Sequence, residues 1–417
     1  MYILVKQAQR LEPVILIISV SAFWFPSPVR DQWVWLIGLL LPVYIARYLL
    51  NGRLWTNTLF DELILGFMAL CLINIFVAPF ETRGVIMLFR PLLGAAFVLF
   101  CVEHSRRYGH MSRLLIVTTM LGILIGILSL TTVHWSEKSR ILREIITILP
   151  NLQNLIWTLS HNPNEIAGVI VFLAPLMLAL VLRWRWWAAG IAFGLLAFGL
   201  ILGLSNSGII GLIVGLIVVL VSRRWWPLVA ALMFVGVLLV QVLIFLNPGL
   251  VVDAAISVSG RDDGRSLEHR EALWSSGIAM ISDYPVTGVG IAMYRNPQLR
   301  QLYPTPGFPD REAVHAHNEI INIGADLGIP GIIIFLSWYA MAAYMLFMIW
   351  RDGDARASGL AAGLAGGLLA HMVYGLSDAI PLWDRYAFVF WWMLGLVAAQ
   401  YMLTQSTAPD EVEDPLR

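Results

Sequence analysis

IPGIIIFLSWYAMAAYMLFMIW, residues 329–350, is a run of twenty-two residues without a charge. At about 1.5 Å of rise per residue, a helix of that length crosses a hydrocarbon layer about 30 Å thick. It begins inside a second stretch, VHAHNEIINIGADLGIPG at residues 314–331, where two histidines two positions apart, an asparagine and two carboxylates lead into the apolar run. Titratable groups therefore stand at a water–lipid border, where an ionisable side chain is by default a functional candidate.

Outward from there, eleven more segments read as spans: 12–25, 33–50, 62–80, 85–102, 114–131, 166–182, 186–204, 209–221, 226–246, 359–374 and 383–403. The first and the eighth span are the shortest. Composition agrees: 59% of the 417 residues are hydrophobic and only 13% are charged, too few charges to cover a water-facing surface. The 17 Trp and 12 Tyr suit a chain with many headgroup-level belts, and a net charge of zero gives no bulk attraction to nucleic acid. The fold expected is an all-α polytopic membrane protein with about twelve transmembrane helices and a mostly helical extracytoplasmic lobe. Cys71 and Cys101 both lie in apolar segments and read as packing residues, and the N-terminal run reads as an uncleaved first span.

Basic residues set the orientation, because Lys and Arg accumulate on cytoplasmic loops. With the N-terminus inside, the inner loops carry Lys6, Arg10, Arg47, Arg53, Arg106, Arg107, Arg113, Arg183, Arg185, Arg223, Arg224, Arg351 and Arg356, and both termini are cytoplasmic. Residues 1–246 then hold nine spans with an outer segment at 132–165, residues 247–318 form an outer lobe, residues 319–403 hold three more spans, and residues 404–417 are a polar tail. An amphipathic piece at 138–159 is expected on the bilayer surface, followed by a turn at Asn162-Pro163 leading into a helix.

The lobe carries the charges with most chemical promise. Leu267, Glu271, Trp274, Ile278 and Ile281 recur at helical spacing, so the pattern predicts a helix over 266–283 stopped by Tyr284-Pro285, with Arg265 at its start and Arg270 one turn before Trp274. The Gly288-Val289-Gly290 turn lets backbone approach another surface closely. Arginine's planar fork matches phosphate oxygens in pairs, so an arginine-rich lobe at a membrane surface suits a pyrophosphate; the competing reading pairs these arginines with Asp262, Asp263, Glu268 and Glu271. His317 is the candidate base and His315 a loop-orienting group. Asp310 and Glu312 near the histidines raise a cation site, which the arginines make unnecessary, so no metal or cofactor is expected. Arg90, before Pro91 in the outer half of the fourth span, needs a partner or water, or else snorkels to the headgroups. Ser205-Asn206-Ser207-Gly208 is either a hairpin turn or a wall of the same cavity.

These residues together resemble the O-antigen ligase and O-antigen polymerase superfamily of bacterial membrane glycosyltransferases. His317-Asn318, then nine residues, then Gly328-Ile329-Pro330-Gly331 is similar to the ligase signature. Arg270 to Trp274, Tyr284-Pro285 with Gly288-Val289-Gly290, and Asn162-Pro163-Asn164 resemble further family elements. One departure stands out. The family often has a Ser-Arg-Gly run at the outer end of a mid-chain helix, whereas here Ser207 is followed directly by Gly208, leaving Arg90 or Arg265 to take that arginine's place, or a different substrate.

The resemblance implies a GT-C-like enzyme in the bacterial inner membrane with an extracytoplasmic site. It implies inverting, metal-independent transfer of a glycan from an undecaprenyl-pyrophosphate carrier to a glycan, lipid or polymer acceptor. Arg270 and Arg265 would clamp the pyrophosphate with Arg90 as a third, His317 would act as base or acceptor-orienting group, and His315 and Asn318 would contact substrate. The rival reading is a non-catalytic lipid-glycan flippase or transporter, whose expected signature is repeated halves with paired broken helices. No such repeat is present; polar residues gather at one face instead.

Overall fold

The structure, a computed structural model, describes residues 11–20, 34–77, 81–131, 162–203, 205–221, 224–259, 264–308 and 314–407. The amphipathic piece expected at 138–159, the acidic pair Asp310 and Glu312, and the tail beyond residue 407 lie outside them.

Helices form wherever the apolar segments predict them. In chain order they are α1 (Leu11–Val20), a short 3₁₀ turn (Val34–Leu39), α2 (Leu40–Asn51), α3 (Asp61–Val77), α4 (Glu81–Tyr108) and α5 (Ser112–Thr131). There follow α6 (Pro163–Trp184), α7 (Trp187–Gly203), α8 (Asn206–Leu220), α9 (Trp226–Leu246), α10 (Pro248–Ser259), α11 (Gly264–Asp283) and α12 (Pro297–Leu302). The chain closes with α13 (Glu319–Asp352), α14 (Ala355–Tyr374) and α15 (Phe388–Thr407). The described residues contain no strand, and the chain is an all-α polytopic membrane protein.

Among the described residues, seven helices are long and apolar enough to cross a membrane: α4, α5, α6, α9, α13, α14 and α15. The remaining expected spans are helical but short; α8 has 15 residues and α7 has 17, which at about 1.5 Å per residue gives roughly 22–26 Å, less than the hydrocarbon thickness.

α6 and α14 are the most enclosed of the seven and pack on each other, with α8 against both of them. Small residues permit that contact: a Cβ at Gly215 of α8 would fall 2.6 Å from the Gly366 carbonyl oxygen of α14. α4 lies along α15, and α13 touches α3, α11, α14 and α15. Cys71 and Cys101 are free and buried in this packing.

A second, smaller core joins Trp274, Met280 and Ile281 of α11 with Met293, Tyr294 and Leu299, and it closes on Ile321 and Ala325 of α13. The segment 247–308 is thus not packed as an island; it shares its core with the first two turns of the helix that follows the histidines.

Candidate active site

α13 begins where Asn318 caps it, the side-chain oxygen accepting from the Ile321 amide at 3.0 Å. The side-chain amide of Asn318 donates to the Gln241 side chain at 2.9 Å and to the Leu376 carbonyl at 3.1 Å. Asn318 is therefore wholly occupied by the fold and buried, and it fixes the turn before it rather than presenting an open polar group.

That turn holds His317 in the left-handed region at φ 47°. Three contacts secure it. The Trp274 indole of α11 donates to the His317 carbonyl at 3.2 Å, the His317 amide donates to Nδ1 of His315 at 3.2 Å, and the Ala316 amide donates to the Asn322 side chain at 3.1 Å.

The same helix start is stitched to the loop between α14 and α15. The Glu319 amide donates to the Gly375 carbonyl at 2.8 Å, and the Ile380 amide donates to the Glu319 carboxylate at 2.7 Å. Between those anchors stands Asp378. Its Oδ1 lies 3.2 Å from Nδ1 of His317 and 3.7 Å from Nε2 of His315. Asp378 and His315 are buried, whereas the His317 side chain keeps about a quarter of its surface exposed.

The electrostatics of this cluster follow from burial and charge. Burial alone would raise the Asp378 carboxyl, but contact with His317 and the charges of His317, His315 and Arg270 outweigh it and hold the group below the usual carboxylate range. Burial, reinforced by His317, pushes the His315 imidazole down to about 4, so His315 is neutral near pH 7.

Two arginines act on the cluster. Half-buried Arg270 acts electrostatically on Asp378, and Arg295 acts on His315. Arg385 pairs with Glu165 at 3.1 Å. Tyr374 donates to the Asn164 carbonyl at 2.7 Å, which draws the Asn162-Pro163-Asn164 turn to the end of α14. Asn162 caps α6 as that pairing predicts. Arg90 donates to the Trp383 carbonyl and so braces the loop that carries Asp378. Arg265 lies in the first turn of α11.

The glycine turn also has an observed use. The Val289 and Gly290 amides donate to the Ala325 and Asp326 carbonyls at 2.8 and 3.0 Å, and the Ile329 amide donates to the Pro285 carbonyl at 2.7 Å. A Cβ at Gly288 would stand 2.4 Å from the Asp326 backbone, and Gly328, at φ 71°, kinks α13 where the turn docks. Asn74 of α3 donates to the Thr287 carbonyl from the other side. The surface that this turn approaches is α13.

The sequence reading gave His317 arginines for partners, yet the charged group nearest to it is Asp378. Its signal was present: Asp378, Asp384 and Arg385 sit in a short loop between two apolar segments, where charge is costly unless used. His315, His317 and Asp378 also offer three ligand atoms within 4.8 Å of one another, a set that could hold a divalent cation. Ser205 caps α8 by accepting from the Gly208 amide at 3.4 Å, and Gly208 packs against Ala167 of α6.

Residues 191–336 match the family model described as O-antigen ligase. The match takes in α11, the glycine turn, both histidines and the Gly328 kink, and ends before the loop that carries Asp378. No curated protein matches the chain.

Proposed function

We propose that this membrane protein, whose residues 191–336 match the O-antigen ligase family model, moves a glycan from an undecaprenyl-pyrophosphate carrier to an acceptor hydroxyl at the outer face of the bacterial cytoplasmic membrane. The observation that carries the reading is the buried Asp378 carboxylate 3.2 Å from Nδ1 of a partly exposed His317, with Arg270 acting on the same carboxylate.

With Nδ1 turned to Asp378, Nε2 of His317 is the nitrogen that takes the acceptor's proton. The acceptor oxygen bonds to the anomeric carbon as the bond from that carbon to the carrier's phosphate oxygen breaks, a single displacement that inverts the centre. The electron pair leaves on the pyrophosphate, whose added charge Arg270 and Arg265 hold. Asp378 orients the imidazole and stabilises its protonated form, in the manner of a carboxylate behind a catalytic histidine. His315, neutral and bonded to the His317 amide, shapes the turn. Arg90, Arg295 and Arg385 border this centre, and Arg385, paired with Glu165 beside the Asn162 turn, is a further candidate for the arginine that does not follow Ser207.

In this reading the arginines supply the positive charge, and the His315, His317 and Asp378 set acts by proton transfer without a cation. Full chain in liposomes, given a carrier-linked glycan and candidate acceptors, tests the proposal. A ladder of products marks a polymerase and a single shifted product a ligase, and either should persist in a chelator. Movement of the carrier across the bilayer without any transfer would instead support a flippase.

A further inference from the structure

Between about 10 and 25 Å along α4 from Arg90, at 1.5 Å per residue, a cavity of about 350 Å³ lies among α1, α2, α4, α5 and α15. Its body is apolar, lined by Leu16, Ile17, Phe97, Phe100, Leu114 and Val117. Its rim is basic, with Arg107 and Arg113 on either side of Tyr108, their guanidinium carbons 5.8 and 4.3 Å from the ring centre.

Each of the two carboxylates in the lining has a basic partner, although Oε1 of Glu12 meets no donor among the described residues. Glu12 pairs with Arg47, and Glu103 accepts from Arg106 at 2.7 Å and from Thr56 at 2.6 Å. Among the described residues neither Arg107 nor Arg113 has a carboxylate partner. A second observation points inward from the wall. Arg47, only 3% exposed, spends one nitrogen on Glu12 while, among the described residues, its Nε and Nη1 meet no acceptor and buried Nε2 of His104 meets no partner. Unpaired donors of a buried guanidinium are costly, and an anion drawn into the cavity would relieve them.

An apolar body beneath a rim with two uncompensated arginines matches one chemistry, an acyl chain bearing an anionic headgroup. We propose that this cavity binds an anionic phospholipid, its phosphate between Arg107 and Arg113 and its chain against Phe97 and Phe100. The site lies at the arginine-rich end of the spans, away from His317, and is independent of the glycan-transfer reading.

Detergent-purified full chain titrated with phosphatidylglycerol, phosphatidylcholine or glycerol phosphate, with bound lipid counted by native mass spectrometry, tests this. Phosphatidylglycerol is expected to bind at one tight site, with the other two at least about tenfold weaker. Arg107→Gln with Arg113→Gln should weaken it about thirtyfold, from about fivefold per arginine near a bilayer surface. Arg224→Gln, at the start of α9 and outside the cavity, should leave it unchanged. If the double variant does not fold, Arg113→Gln alone should weaken binding about fivefold. Equal binding by the arginine variants overturns the proposal. So does phosphatidylcholine binding as tightly as phosphatidylglycerol, or glycerol phosphate doing so without an acyl chain.

Discussion

His317 combines a positive φ with a side chain that is neither free nor fully buried. Holding a non-glycine residue there costs about 1 kcal/mol or more, a strain that persists only where surrounding contacts over-determine it. Here the Trp274 indole and the His315 ring are those contacts. Trp274→Phe keeps an aromatic ring in the smaller core but leaves a small void and removes the bond to the His317 carbonyl, so transfer should fall about tenfold with a drop of a few degrees in the thermal midpoint, as steady-state rates and thermal unfolding would reveal. Asp378→Asn should lower turnover by about 10²-fold with the substrate KM nearly unchanged, because it disturbs the imidazole's orientation and charge rather than the binding surface.

Acidification acts on the same residues. The folded His315 group titrates near 4 and the unfolded one near its ordinary value of 6.5, so the unfolded chain takes the proton first as pH falls. Stability tied to neutral His315 is fully present above about 6.5 and amounts to a loss of about 2 kcal/mol by pH 5. Asp378, held low, adds its own loss only below the ordinary carboxylate range. The protection factors of the amides at 315–318, with exchange rates normalised to the intrinsic rate at each pH, should therefore fall between pH 7 and pH 5, and His315→Gln should flatten that dependence. His317 was legible from sequence because a histidine at a membrane border is unusual chemistry. Its closest charged partner was not, because Asp378 lies 61 residues on and only folding brings α14's end against α13's start.

Among the elements, α13 is the one on which the site depends. Its N-terminus carries the histidine turn, its kink at Gly328 receives the glycine turn, and its early residues close the smaller core. Gly288→Ala places a methyl group 2.4 Å from the Asp326 backbone at a φ of 64°, so it should lower the thermal midpoint by several degrees and displace His317 with it. Gly236→Ala in α9, where nothing lies within 4 Å, should be neutral or slightly stabilising. The helix at 264–283 and its stop at Tyr284 were readable from helical spacing and the following proline. That the glycines serve helix docking was not, because a glycine-rich turn has the same sequence whether it meets a phosphate or another backbone.

Over the whole molecule, hydrophobic composition and segment lengths determine the class of fold, and a helix is found at every apolar segment the sequence marked out. The bounds were legible to within a few residues: 186–204 was expected where α7 runs Trp187–Gly203, and 209–221 where α8 runs Asn206–Leu220, because the Ser205 cap starts that helix three residues earlier than its apolar run. In the proposed arrangement, His317 with its arginines sits at one membrane face and the Arg107 and Arg113 cavity at the other. With Leu302→Cys and Tyr108→Cys, both at exposed positions, an impermeant thiol reagent should label position 302 in cells whose cytoplasmic membrane is intact and position 108 only once that membrane is opened; labelling of both with the membrane intact would refute that topology. The central claim is tested most directly by glycan transfer in liposomes from a carrier-linked donor, comparing the native chain with His317→Ala. The expected result is a fall in rate of about 10²- to 10⁴-fold with the variant still folded, and transfer at the native rate by folded His317→Ala protein would contradict it.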